Sequence, residues 1–220
     1  MWLRRFTRHG RSAGLSVLAM LALGGCATGP HSATADRDAA ATAGQDGQPG
    51  LEREVPPQAL TLYEQAVASM ASGDMIDAEL RFKEFLLQYP DYPGAYVNLA
   101  IIHAGLGEDK AAEDSLTDAL IIDPLHPAAL NQLGMLLRRQ GKFQEAEAAY
   151  MKAVTASPDY ALAHYNLGVL NDLYLRRLDA ALVHYERYQE LVGEDEQVTR
   201  WIADLKRRIG AAQSAANVTE

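Results

Sequence analysis

The chain has 220 residues, 48% of them apolar, so it can bury a hydrophobic core. Its 20 basic and 29 acidic side chains give a net charge of −9, which argues against nucleic acid or an anionic membrane surface as the main partner. Cys26 is the only cysteine, which excludes an intramolecular disulfide and a metal site made of several thiolates.

The first 26 residues have the order of an export signal. A basic segment from Met1 to Arg11 precedes an apolar run from Ala13 to Leu23, which is too short to span a bilayer as a mature helix. Leu23-Gly24-Gly25-Cys26 follows directly. This order resembles a bacterial lipoprotein signal peptide with its lipobox.

The resemblance implies that residues 1–25 are removed and that Cys26 becomes an acylated N-terminus, which would anchor the protein in a membrane. Ala27, where Asp would retain the protein in the inner membrane, implies the outer membrane and a periplasm-facing protein. The alternative is ordinary secretion, because Gly25-Cys26-Ala27 also approximates the small residues of a common cleavage site. That alternative would leave a soluble periplasmic protein.

Residues 26–56 are expected to form a disordered tether behind the lipidated Cys26. This segment is rich in Ala, Gly, Asp and Thr and has almost no large apolar residue, so it cannot offset the entropy of ordering. Four arginines and no acidic residue precede Cys26, so the remainder has 16 basic and 29 acidic side chains and a net charge of −13.

Residues 57–210 are predicted to form a repeat domain with a period of 34 residues. Three residue types keep this spacing: Pro90, Pro124 and Pro158; Gly73, Gly107 and Gly141; and Ala78, Ala112 and Ala146. The period divides the domain into units 59–92, 93–126, 127–160 and 161–195.

The third unit shows the pattern most clearly, with two amphipathic helices separated by Gly141 and ended by Pro158. Its apolar positions are Leu130, Leu133, Gly134 and Leu137 in the first helix and Phe143, Ala146, Tyr150 and Ala153 in the second. This unit resembles the tetratricopeptide repeat (TPR). The resemblance implies an all-α, right-handed solenoid of about four helical hairpins, in which small residues allow close helix contact.

The fourth unit departs from the period, because its apolar positions after the turn lie one residue late, which predicts a one-residue insertion in the turn. Residues 196–210 are predicted to form a capping helix with Trp201, Ile202 and Leu205 on its apolar face. Gly210 is expected to end this helix, and residues 211–220 are expected to be a disordered tail.

The sequence contains no constellation that indicates an enzyme. It lacks a phosphate-binding glycine loop, a nucleophile elbow and a histidine cluster with metal-ligand spacing, so no cofactor, metal or small-molecule substrate is expected. His103 and His164 occupy packing positions of the repeat, and His184 has no carboxylate at ligand spacing. A structural role is therefore expected for His103 and His164, and no metal is expected at His184.

The TPR resemblance implies that the first helices of the hairpins line a concave groove that binds a protein or peptide. The expected groove is apolar with amide rims and comprises Tyr63, Val67, Met70, Val97, Asn98, Ile101, Asn131, Met135, Arg138, Tyr165, Asn166, Val169 and Asp172. It departs from the carboxylate-clamp pattern, since only Arg138 is basic. The alternative is that some of these residues contact neighbouring hairpins or an appended segment.

Arg138 and Asp172 occupy equivalent positions in adjacent hairpins. One interpretation pairs them with each other, and the other leaves Arg138 to bind a carboxylate of the partner.

The leading functional hypothesis is an outer-membrane adaptor in an envelope complex. Residues 166–208 are similar to the end of repeat proteins that accompany Tol/TonB-type energy-transducing complexes. Two alternatives remain open: a pilotin-like factor that carries a pilus or secretion secretin to the outer membrane, and a regulator of cell-wall enzymes.

Overall fold

The structure, a computed structural model, describes residues 55–218 and the side chains of residues 55–215. This part of the chain forms nine α-helices and no strand, which confirms the all-α prediction. Within these residues no helix is both long and apolar enough to cross a bilayer. The predicted signal peptide, Cys26 and the predicted tether up to residue 54 lie outside the described residues.

The first eight helices form four consecutive antiparallel pairs, and a ninth helix follows them. Their bounds are α1 (Pro57–Ala71), α2 (Met75–Gln88), α3 (Pro93–Gly105), α4 (Asp109–Ile122), α5 (Pro127–Arg139), α6 (Phe143–Ala156), α7 (Ala161–Val169), α8 (Leu178–Val192) and α9 (Glu196–Val218). Each of the four repeat units of the sequence therefore holds one helical hairpin.

Local sequence signals explain where these helices begin and end. Proline is the first residue of α1, α3 and α5, a position where its missing N–H costs nothing. Asp74 caps α2 by accepting a hydrogen bond of 3.0 Å from the backbone N–H of Asp77. The turn between the helices of hairpins 1, 2 and 3 uses a glycine with positive φ, such as Gly141 at 77°.

The hairpins stack in sequence order and form a solenoid. Each second helix packs against the first helix of the next hairpin, and the first helices α3, α5 and α7 also contact one another in a row. We call the surface of the first helices the inner face and that of the second helices the outer face. This division places the predicted groove on the inner face.

Within two hairpins the helices approach so closely that a glycine is required. A Cβ atom added to Gly134 in α5 would lie 2.5 Å from the ring of Tyr150 in α6. One added to Gly168 in α7 would lie 2.4 Å from the ring of Tyr185 in α8. Both tyrosines are fully buried, so each ring fills the space that the glycine leaves.

The extra residue of the fourth unit lies in α7 and not in the turn, which corrects the sequence prediction. The helix α7 continues as a π-helical segment, Leu170–Leu175. Across the turn of hairpin 3, the N–H of Lys142 bonds to the carbonyl of Leu137, whereas in hairpin 4 the N–H of Arg177 bonds to Asn171, one residue further back. A wider helical turn absorbs an inserted residue without breaking the backbone hydrogen bonds.

Arg176 occupies the turn position that glycine holds in the other hairpins, with φ of 55°. We expect Arg176→Gly to raise the free energy of unfolding by about 0.5–1 kcal/mol. Glycine avoids the energetic penalty of the left-handed conformation, although it loses more backbone entropy on folding than arginine does. The midpoint of urea denaturation measures this change. Arg176→Ala, which keeps the penalty, is the control, and an equal gain in both variants would contradict the explanation.

The last helix, α9, closes the C-terminal end of the solenoid. Its buried residues Val198, Ile202 and Leu205 form one hydrophobic cluster with Ala181 and Tyr185 of α8. This is the capping contact that the sequence predicted for residues 196–210, since an exposed end of a solenoid needs a covering element.

The helix α9 continues past Gly210 to Val218, where the sequence analysis expected a disordered tail. Gly210 costs about 1 kcal/mol relative to alanine in a helix. Four alanines among residues 211–216 have the highest helix propensity and compensate for it. Glu196, the acidic residue in the first turn of α9, interacts favourably with the helix dipole.

Candidate functional site

The inner face carries the predicted groove residues, but the structure separates them into two groups. Four are buried between hairpins: Val97, Asn98, Asn131 and Asn166. The other nine are partly or fully accessible: Tyr63, Val67, Met70, Ile101, Met135, Arg138, Tyr165, Val169 and Asp172. The buried group stabilises the stack, as the alternative interpretation proposed.

Asn98 connects hairpin 2 to hairpin 1. Its side-chain N–H donates to the hydroxyl of Tyr63 at 2.8 Å, and the Tyr63 ring contacts Phe82 and Phe85 edge-on at centroid distances of 5.6 and 5.5 Å. These edge-to-face contacts hold the tyrosine in the core of hairpin 1. Its hydroxyl is therefore engaged within the protein.

Asn131 and Asn166 connect hairpins 3 and 4. The Nδ2 of Asn166 donates to the Oδ1 of Asn131 at 2.9 Å, and both side chains are buried. A buried amide pair of this kind fixes the register of two packed helices. The expectation that Asn98 and Asn166 form an amide rim of an open groove is therefore wrong.

The C-terminal third of the predicted groove is covered by α9. The ring of Tyr165 contacts Tyr188 at a centroid distance of 5.3 Å and Trp201 at 6.0 Å, and Val169 packs in the same cluster. Asp172 forms a 2.8 Å salt bridge with Arg208 of α9, and its side chain is only 11% exposed. A helix of the same chain thus occupies this end of the inner face.

The open part of the inner face runs over hairpins 1 to 3. Val67 and Met70 of α1, Ile101 of α3 and Met135 of α5 supply an apolar surface, with Met135 38% exposed. Arg138 lies at its C-terminal edge. We call these five residues the open groove. Methionine and branched aliphatic side chains suit the apolar face of a helix or an extended peptide.

Arg138 is the cation of the open groove. Its guanidinium donates to the Oδ1 of Asn166 at 3.4 Å, and no carboxylate of the described residues lies within salt-bridge distance. Because Asp172 forms its salt bridge with Arg208, the predicted pairing of Arg138 with Asp172 is wrong. Arg208 could not be recognised from the sequence as the partner of Asp172, because it lies in a separate helix, 36 residues further along the chain.

Two histidines that looked unrelated in the sequence form a pair between α7 and α8. The Nδ1 atoms of His164 and His184 are 3.2 Å apart, and the Nε2 of His164 lies 3.1 Å from the carbonyl oxygen of Pro158. Since that carbonyl only accepts, His164 carries its proton on Nε2, and His184 Nδ1–H donates to His164 Nδ1. Two neutral rings satisfy this geometry, whereas two imidazolium rings do not, because only one of the two facing Nδ1 atoms can carry a proton.

The surroundings of the pair favour this neutral state. Burial, and then the neighbouring His164, lower the pKa of His184 to about 4. Burial lowers the pKa of His164 as well, with a smaller contribution from Arg187. The rings line an outer-face pocket of about 390 Å³ with Val154, Pro158, Val183, Glu186, Arg187 and Glu190.

The histidine pair makes stability dependent on pH. The folded-state pKa of His184 lies below the unfolded value of about 6.5, so its contribution is complete above pH 6.5 and is lost as the pH falls towards 4. We expect the free energy of unfolding to fall by about 1–2 kcal/mol over this pH range. This value is smaller than the energy that corresponds to the whole pKa shift, because part of the ring is exposed to solvent.

Urea denaturation of the native chain and of His184→Gln between pH 7.5 and pH 4 measures this contribution. Both proteins share the titration of their carboxylates, so their difference isolates the histidine. Parallel curves for the two proteins would show that the pair is not the cause.

Among the described residues no group of three or more His, Cys, Asp and Glu side chains has an arrangement that holds a metal ion. His103 is buried and its Nδ1 lies 2.9 Å from a carboxylate oxygen of Glu108, a contact that joins α3 to the turn before α4. The described histidines in these helices therefore have structural contacts.

Comparisons with known proteins agree with this architecture. Family models described as tetratricopeptide repeat match residues 63–127 and 116–148, and one described as TPR repeat matches residues 134–171. DnaJ homolog subfamily C member 3 of Mus musculus is 34% identical over 89 residues, which are 40% of this chain and only 18% of that protein.

Solved structures show the same fold. Pseudomonas aeruginosa pilF superposes with a TM-score of 0.63 at 22% identity, over 72% of each chain. The first TPR of Spaghetti (RPAP3), solved with the HSP90 peptide SRMEEVD, superposes with a TM-score of 0.50 at 22% identity, over 54% of this chain and 95% of that one. The described residues form a TPR-like solenoid, a fold that serves as a protein-interaction scaffold.

Proposed function

We propose that this TPR-like solenoid is a protein-binding adaptor whose open groove takes an apolar segment of a partner protein, with an oxygen of that segment bound by Arg138. The observation that carries the proposal is the guanidinium of Arg138, which has no carboxylate partner among residues 55–218 and lies beside the apolar residues of the groove. A charge-assisted hydrogen bond to a carboxylate or carbonyl would orient an otherwise apolar ligand.

The size of the groove limits the partner. Because α9 covers Tyr165 and Val169, the accessible surface extends over three hairpins. The groove contains one arginine, whereas a carboxylate clamp needs several cations. We therefore favour an amphipathic helix or extended segment with one acidic position over a terminal peptide with several acidic residues.

Photo-crosslinking in cells tests the groove. A photoreactive amino acid at Met135 should give a covalent adduct with the partner, and mass spectrometry identifies that partner. Arg138→Glu should reduce the adduct at least about tenfold, since it replaces an attraction by a repulsion. Lys152→Glu, which makes the same charge change on an exposed position of the outer helix α6, should leave the adduct intact.

An undiminished adduct in Arg138→Glu would contradict the role of Arg138. A lowered melting temperature in Arg138→Glu would show instead that this residue stabilises the fold. No adduct at Met135, with adducts elsewhere on the inner face, would place the binding site outside the open groove.

We also propose that the adaptor is anchored to the outer membrane through Cys26 and acts in an envelope complex, of which a Tol/TonB-type complex is one candidate. The lipobox-like Leu23-Gly24-Gly25-Cys26 and the following Ala27 support this placement. Radioactive palmitate should label the native chain and should not label Cys26→Ser. Export without labelling of the native chain would favour a soluble periplasmic protein.

A further inference from the structure

The outer face of the first hairpin has an apolar stripe along α2. Ile76, Leu80 and Leu87 are 79%, 65% and 86% exposed, and Lys83 lies between them. Their spacing of four, three and four residues places all four side chains on one face of the helix, in the pattern of a coiled-coil seam. We call Ile76, Leu80, Lys83 and Leu87 the α2 stripe.

The solenoid itself does not require this stripe, as the other hairpins show. The positions equivalent to Ile76, Leu80 and Leu87 carry mainly polar or small residues in the next two outer helices, namely Lys110, Asp114 and Ile121 in α4 and Gln144, Ala148 and Thr155 in α6. Only hairpin 1 has large apolar residues at all three positions of this comparison. A contiguous exposed apolar patch of this kind indicates an interaction site.

The charges beside the stripe indicate which partner it fits. Asp77 and Glu84 flank it on one side and Glu79 on the other. Lys83 forms an ion pair with Glu79 of its own helix at 2.5 Å, and Asp77 pairs with Arg81, whereas Glu84 has no ion-pair partner among the described residues. Among these charged residues only Glu84 is unpaired, and three carboxylates against two cations leave the stripe and its borders with a net charge of −1.

Acidic borders disfavour two other occupants. In a second copy of this chain, paired helix to helix, the unpaired Glu84 carboxylates would add like charges at the borders of the contact. Residues 27–54 contain five acidic and two basic side chains and a single large aliphatic residue, Leu51, so that segment offers neither an apolar seam nor opposite charge.

We propose that the α2 stripe docks an amphipathic helix of another protein, whose apolar seam is bordered by lysines or arginines. Apolar contact with Ile76, Leu80 and Leu87 provides the affinity, and the acidic borders select a basic helix and set its register. This surface lies on the outer face, away from the open groove, and does not depend on the function proposed for the groove.

Two synthetic amphipathic peptides test the proposal, both with leucine at the a and d positions. One has lysine and the other glutamate at the e and g positions. Fluorescence anisotropy measures their binding to the chain from Ala27 to Glu220, which retains every described residue. The lysine peptide should bind at least about tenfold more tightly than the glutamate peptide.

The double variant Leu80→Ser/Leu87→Ser should weaken binding of the lysine peptide at least about tenfold without lowering the melting temperature, because both side chains are exposed. Ile121→Ser, the equivalent exposed position in α4, is the matched control and should bind like the native chain. Arg138→Glu should also bind the lysine peptide normally, which separates this surface from the groove.

Three results would overturn the proposal. These results are that neither peptide binds, that both peptides bind equally tightly, or that the lysine peptide still binds to the double variant. Sedimentation of the native chain as a dimer that the double variant abolishes would also overturn it, because a second copy would then occupy the stripe.

Discussion

Replacing Gly134 by alanine is expected to lower the free energy of unfolding by about 2–3 kcal/mol, the cost of overpacking a close helix contact. The added Cβ would lie 2.5 Å from Cε1 of Tyr150, closer than real Cβ contacts. The ring cannot yield easily, since Tyr150 is fully buried between α5, α6 and α7. Urea denaturation followed by circular dichroism measures the loss.

Two further variants make this prediction specific. Gly105→Ala places a Cβ at the end of α3, where no atom lies within 4 Å apart from the adjacent residues and the backbone of the same helix, and should be neutral or slightly stabilising. Combining Gly134→Ala with Tyr150→Leu should cost less than the sum of the two single changes, because the smaller side chain removes the clash. Strict additivity would show that the glycine has another role.

Replacing Trp201 by alanine is expected to cost about 3 kcal/mol, within the range for truncating a large aromatic side chain. The indole contacts Tyr185 at a centroid distance of 5.4 Å and Tyr165 at 6.0 Å, so it joins α9 to both helices of hairpin 4. Its loss leaves a cavity and exposes both tyrosine rings. Thermal denaturation measures the change.

Trp201→Phe keeps most of the buried area and should recover more than half of the lost stability. Arg200→Ala, at an exposed neighbour whose partner Glu196 lies in the same helix, should change the stability by less than about 0.5 kcal/mol. If Trp201→Ala melted like the native chain, α9 would not be the cap of the solenoid.

This second prediction also bears on binding. The helix α9 covers Tyr165 and pairs with Asp172, and both residues belong to the predicted groove. If Trp201→Ala loosens α9, the inner face of hairpin 4 becomes accessible. The Met135 adduct should nevertheless persist in this variant, because the open groove lies on hairpins 1 to 3.

The sequence predicted the helical hairpins well because their signals are local. The glycines at turn positions, the prolines at helix starts and the small residues opposite Tyr150 each act within about 20 residues of the chain. The 34-residue period repeats each signal, so that an ambiguous helix assignment in one unit can be settled by comparison with the other units. Within the hairpins, the place of the extra residue was predicted wrongly, because a π-helical turn has no sequence signature of its own.

The groove was predicted less completely. The position of each residue in the TPR repeat predicted that all thirteen lie on one surface. Side chains at equivalent positions nevertheless have different neighbours in each hairpin. Asn131 meets Asn166, whereas Tyr165 meets Trp201. Such contacts depend on what the next hairpin presents, and a residue's own position in the repeat does not specify it.

The sequence by itself determined the fold class, the number of hairpins and the presence of a capping helix. The hydrophobic period, the turn glycines and the prolines at helix starts are signals that each depend on residues close together in the sequence. Only the tertiary structure decided which groove residues remain accessible. It paired Asp172 with Arg208, joined His164 to His184 and left Arg138 without a carboxylate partner in the part of the chain that the structure describes. Those outcomes depend on distances between separate helices, which arise when the hairpins stack.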